Sequence, residues 1–109
     1  MVTLDFDTID KYGYPTEELL DYIAAYDILK GSSLELMQLV YDYWFYGFPY
    51  KQYYSAAGNP KLFVYTMSTG GWSGNESLIY ALMDNQLWWV MNWYSSSRGG
   101  HYEFHVKDK

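Results

Sequence analysis

The 109-residue sequence contains no cysteine. Disulfides and thiolate-held zinc are therefore excluded, and a cytosolic location is the expectation. Long hydrophobic runs are also missing. No window of about 18 apolar residues occurs, so no membrane span is expected. The opening residues, Met1 to Asp7, lack a basic segment followed by an apolar one, so no signal peptide is read there. Bases are scarce: 7 Lys and Arg stand against 13 Asp and Glu, for a net charge of −6. Such a chain repels phosphate backbones. No basic stripe is interleaved with aromatics either, so direct nucleic-acid binding is disfavoured.

The charge is unevenly spread. Residues 1–47 hold nine acids and two bases, net −7, whereas residues 48–109 hold four acids and five bases, net +1. An acidic N-terminal half is a solvated face, or a surface that steers a basic partner. What the chain has in abundance is rings. Aromatics make up 22% of it, with 14 Tyr, 5 Trp and 5 Phe. A core of this size cannot hide them all, because each buried Tyr or Trp needs a partner for its polar atom. Surplus Tyr and Trp at the surface are favoured contact residues.

The pattern predicts one α+β domain over residues 1–109. Leu4 and Phe6 alternate with acids as in a short edge strand, and Tyr12 to Pro15 reads as a turn. A first helix is expected from Glu17 to Leu29. Thr16 is its N-cap, Leu20, Ile23, Ala24 and Ile28 form its apolar stripe, and Lys30 and Gly31 provide its stop. Ser32 and Glu35 have capping-box spacing for a second helix, closed by Gly47 and Pro49. Residues 48–56 read as an extended arm, followed by a turn at Ala57 to Pro60. Lys61 to Ser68 reads as a strand, and a third helix runs from the glycine turn to about Asn85. Leu87 to Tyr94 is strongly β-prone, Ser95 to Gly100 reads as a loop, and His101 to Val106 alternates as a final strand. The expected order is α-α-β-α-β-β, a helical hairpin and third helix on a small three-stranded, mostly antiparallel sheet.

The stretch Ser68-Thr69-Gly70-Gly71-Trp72-Ser73-Gly74-Asn75-Glu76 is the focus for chemistry. Gly71 to Asn75 approaches the G-x-S-x-G nucleophile elbow, but Asn75 replaces its last glycine and the chain is too short for the usual supporting sheet. Ser73 also has an ordinary role as N-cap, with Glu76 completing a capping box. No lysine follows the glycines as a phosphate loop requires, and Glu76 repels an anion. His101, Glu103 and His105 share one strand face, but the outer two are about 13 Å apart, too far for one metal. No cofactor, metal site or catalytic set is therefore assigned. If strands 61–68 and 87–94 run parallel, their ends meet, and Trp72, Ser73, Asn75, Arg98 and His101 form one small polar site. Trp88 and Tyr94 lie on one face of the expected strand and are candidate contact residues.

Ser68 to Glu76 and Ser95-Ser96-Ser97-Arg98-Gly99-Gly100-His101-Tyr102-Glu103-Phe104 together resemble a pattern in small uncharacterised bacteriophage proteins. The resemblance covers the C-terminal half and brings no activity with it. It implies a phage or mobile-element setting, in the host cytoplasm, where small acidic proteins bind and block host proteins such as defence nucleases. The expected function is thus an accessory protein that acts by binding another protein, of host or phage, with a basic or nucleic-acid-binding character. Two alternatives stand beside it: a small enzyme or ligand-binding protein centred on Gly70 to Asn75, and a homo-oligomeric virion component.

Overall fold

A computed structural model describes residues 4–45, 51–55 and 62–107. The first segment opens with a turn held by Asp10, whose Oδ1 accepts from the amides of Tyr12 and Tyr14. An isolated bridge pairs Ile9 with Pro15. Leu4 and Phe6 do not form the expected edge strand; they pack against the core from irregular backbone.

Helix α1 (Glu17–Ala25) begins where expected, with Thr16 Oγ1 accepting from the Leu19 amide at 3.2 Å. It ends four residues early. Asp27 takes over the chain, accepting from the amides of Leu29, Lys30 and Gly31 in a tight turn. Helix α2 (Ser33–Tyr43) starts at Ser32, whose Oγ accepts from the Glu35 amide at 2.9 Å. The Glu35 carboxylate does not close the capping box; it accepts the Tyr26 hydroxyl at 2.9 Å instead. Gly47, Pro49 and the turn at Ala57 to Pro60 lie outside the described residues.

The sheet has four strands rather than three. Strands β1 (Lys51–Ser55), β2 (Leu62–Ser68), β3 (Trp93–Ser97) and β4 (His101–Lys107) lie in the order β1-β2-β4-β3, with every pair antiparallel. The extra strand is β1, part of the expected arm, paired along β2 from Lys51↔Met67 to Ser55↔Phe63. Because side chains alternate across a strand, Phe63, Tyr65 and Met67 share a face with Tyr102, Phe104 and Val106. That face receives the helices. Leu19, Ile23, Leu36, Met37, Val40, Leu78, Leu82 and Trp88 join Tyr65, Met67, Phe104 and Val106 in one core. The other face carries Thr66, His101, Glu103 and His105.

The largest departure is at residues 86–92. Helix α3 (Ser73–Asp84) is followed at once by a fourth helix, α4 (Gln86–Asn92), where a strand is expected. The strand propensity of Trp88, Trp89 and Val90 is overridden by Asn85. This buried side chain accepts from the Trp88 amide and donates to the carbonyls of Ile23 at 3.0 Å and Tyr26 at 2.8 Å. It thus caps α4 and ties it to the end of α1. Helical spacing then turns Trp88 and Asn92 inward together. The serines expected as a loop become β3, and only Arg98 to Gly100 remain as the turn. Among the described residues, no helix is long and apolar enough to cross a membrane.

Candidate functional site

Strands β2 and β3 both run antiparallel to β4, so they are parallel to each other and end on the same side of the sheet. Ser68, His101 and Ser97 consequently form one row across β2, β4 and β3. Ser68 Oγ lies 2.6 Å from His101 Nδ1. The two glycine segments meet here: the Thr69 amide donates to the Gly100 carbonyl at 2.9 Å. Gly100 has φ +80°, and a Cβ there would collide with Thr69 Oγ1. The consecutive left-handed residues Gly70 (φ 64°) and Gly71 (φ 77°) then turn the chain into α3.

The proposed partners at this end divide among separate environments. Trp72 is the N-cap residue of α3 and gives no side-chain cap; its ring packs between Tyr14, at 5.0 Å between centroids, and Phe45, at 5.2 Å. Ser73 is therefore the first helical residue and not the cap, and it is exposed. Asn75 is fully buried; its Oδ1 accepts from the Phe45 amide and its Nδ2 donates to the Thr69 carbonyl. It fastens the turn to the end of α2. Arg98 is exposed in the β3–β4 turn. His101 is the member of the set that Ser68 contacts.

Trp88 is a core residue, fully buried, with its indole Nε1 donating to the Ser33 carbonyl at 3.1 Å. Burial leaves it no surface for a partner, because helix α4 points it into the sheet. Tyr94 is exposed. It sits at the irregularity in β3, between Trp93↔Phe104 and Ser95↔Glu103, and lies flat on His105 at 3.7 Å between ring centroids. His105 Nε2 in turn donates to Glu103 Oε2 at 2.5 Å. No group of three or more His, Cys, Asp or Glu that could hold a metal occurs among the described residues.

Two surfaces have no counterpart in the sequence expectations. The first is the outer side of α4. Leu87, Val90 and Met91, at i, i+3 and i+4, are 48%, 78% and 62% exposed, so this helix shows solvent an apolar side. Trp93, also exposed, follows it directly into β3, which among the described residues is an edge strand paired only with β4. The second is a cleft of about 1020 Å³ between α2 and the β1–β2 pair. Its walls include Glu35, Gln38 and Asp42 from α2 and Tyr53 and Tyr65 from the sheet. Burial pushes the Tyr65 hydroxyl well above its ordinary range, and Tyr53, Tyr41 and Asp42 push it the same way. Tyr65 therefore remains neutral, and its hydroxyl donates a hydrogen bond to Gln38 Oε1 at 2.8 Å. The signal for this cleft was the spacing of Glu35, Gln38 and Asp42, a polar stripe along the helix beside its apolar one. The wall across from it is set by strand pairing and has no sequence-local sign.

No family model, curated protein or solved structure matches the chain.

Proposed function

We propose that this chain is a small acidic accessory protein of bacteriophage type that acts by binding another protein, with a host defence factor as the target class. The observation that carries the reading is the exposed apolar side of α4, Leu87, Val90 and Met91, adjoining the open edge of β3. Leaving such side chains in water forgoes roughly 1.5–3 kcal/mol for each one that a partner could bury fully. An exposed edge strand adds unpaired backbone groups that another chain can take up. Surface rings on other elements, Tyr12 and Tyr80 among them, extend the contact chemistry. The acidic N-terminal half would steer a basic, nucleic-acid-binding partner and speed its approach.

The test compares capture by the wild-type chain and by a Val90→Asp/Met91→Asp variant from bacterial lysate. A protein retained by the first and lost by the second, with the circular dichroism unchanged, is the expected result. Capture should weaken as salt is raised, since steering charges are screened. Failure to retain any protein, together with a monomeric elution profile, would exclude both this reading and the homo-oligomeric one.

One observation favours a small enzyme instead: the 2.6 Å approach of Ser68 Oγ to His101 Nδ1 has the spacing of a nucleophile and its base. Against it, no carboxylate contacts the other nitrogen of His101 among the described residues.

A further inference from the structure

The geometry points to a second binding site, the α2/β1–β2 cleft, as a receptor for an alkylated or primary ammonium group on an apolar body. The space, about 1020 Å³, is in the range that small-molecule sites occupy. Its chemistry is that of cation recognition. Tyr53, 43% exposed, and the half-buried Tyr43 supply ring faces, and the buried Tyr65 stacks beneath Tyr53 at 5.1 Å between centroids. Aromatic faces attract a cation through their quadrupole, and the attraction grows as water is excluded.

Glu35 and Asp42 supply negative charge from α2, across from Tyr53, and Lys30 is the single base among the described lining residues. Lys30 forms no ion pair with either carboxylate among the described residues. Each acid accepts one hydrogen bond from a neighbouring side chain, Glu35 in a half-buried setting and Asp42 at the surface. Tyr26 Oη donates to Glu35 Oε1 at 2.9 Å, and Gln38 Nε2 donates to Asp42 Oδ1 at 2.9 Å. Gln38 is itself oriented by the Tyr65 hydroxyl, which fixes which end of the amide faces Asp42. Asp42 Oδ2 has no protein partner among the described residues. An ammonium group seated against the rings could accept the pull of both carboxylates without displacing an existing ion pair. An anion of the same size would meet two negative charges against one positive.

The same ammonium chemistry can come from a free amine or from a lysine side chain of a peptide, and two probes separate the sources. Benzyltrimethylammonium stands for the first and acetyl-Gly-Lys-Gly-amide for the second, with sodium benzoate as the matched anion. Binding is read from amide shifts in a nuclear magnetic resonance titration of the whole chain. At least one cationic probe should move the resonances of residues 30–43, Tyr53, Phe63 and Tyr65, and benzoate should not. Glu35→Gln and Asp42→Asn keep the hydrogen-bond acceptors and remove the charge; each should weaken binding about threefold, and the pair about tenfold. Tyr53→Ala should weaken it about threefold. The tighter of the two cations identifies the source. If neither cation moves those resonances, if benzoate binds as tightly, or if the charge-removing pair binds as well as wild type with its unfolding midpoint unchanged, the assignment is wrong. None of these outcomes depends on the α4 surface, so failure here leaves the protein-binding reading standing.

Discussion

The side chain of Asn85 donates to the carbonyl of Tyr26 at 2.8 Å, across 59 residues of sequence. The same amide also reaches the Ile23 carbonyl, and its oxygen caps α4. Asn85→Ala would strand the Tyr26 carbonyl, take one of two donors from the Ile23 carbonyl, which keeps the Tyr26 amide, and uncap α4. The expected cost is about 2–4 kcal/mol, read as a lower urea midpoint at unchanged slope. Asn85→Asp should cost more, because a carboxylate would face carbonyl oxygens.

Gly100 tests how the two glycine segments are joined. Its φ of +80° disfavours any side chain, and Thr69 Oγ1 occupies the place of a Cβ. Gly100→Ala should lose about 2–3 kcal/mol, from backbone strain and crowding together. Removing the obstacle with Thr69→Ala should return part of that loss. In a double-mutant cycle the two changes should couple by about 1 kcal/mol in the favourable direction; additivity would show that Thr69 is not what Gly100 accommodates.

High pH should unfold the protein through its buried tyrosines. Burial raises Tyr65 and Tyr26 well above their ordinary range, with the Glu35 charge and hydrogen bond adding to Tyr26; burial also raises Tyr22 and Tyr102. These groups are raised in the folded state, so the unfolded chain ionises first, from about pH 10. Their contribution is complete below that value and is lost as pH climbs toward the folded-state values. Urea midpoints should fall steeply above pH 10, and absorbance at 295 nm should show a late tyrosinate step coincident with unfolding. Tyr65→Phe should flatten that pH dependence. A simple titration of all the tyrosines near pH 10 with the fold intact would contradict the packing of the core.

Ser68 and His101 should prove structural. Both lie at an exposed sheet end, where one hydrogen bond contributes about 1 kcal/mol or less. Ser68→Ala should therefore shift the urea midpoint slightly. It should also leave any hydrolysis of p-nitrophenyl acetate by the protein unchanged. A loss of turnover in both Ser68→Ala and His101→Ala, with folding intact, would favour the enzyme reading.

Several features could be read from short-range chemistry alone. Thr16 and Ser32 have the side chains an N-cap needs, and both cap their helices. The alternation in β4 puts Phe104 and Val106 in the core, with His101, Glu103 and His105 outside. The meeting of the two glycine segments also followed from strand direction, although through β3 at 93–97 and not through a strand at 87–94. The failures share one cause. Trp72 takes the N-cap position of α3 in place of Ser73, and α4 replaces a strand, because a neighbour distant in sequence settles the backbone. Trp72 is held by Tyr14 and Phe45, and Asn85 by Ile23 and Tyr26.

By itself the sequence determined the class of this protein: α+β, acid-rich in its first half, with more rings than a small core can absorb. Periodicity, capping residues and charge are local quantities, so they can be counted along the chain. Which rings are hidden was decided by tertiary structure. Trp44 and Trp88 went inside because each found a carbonyl for its indole N–H, on Ser68 and Ser33. Leu87, Val90 and Met91 stayed outside because helical spacing at α4 admits one side to the core and turns the other away.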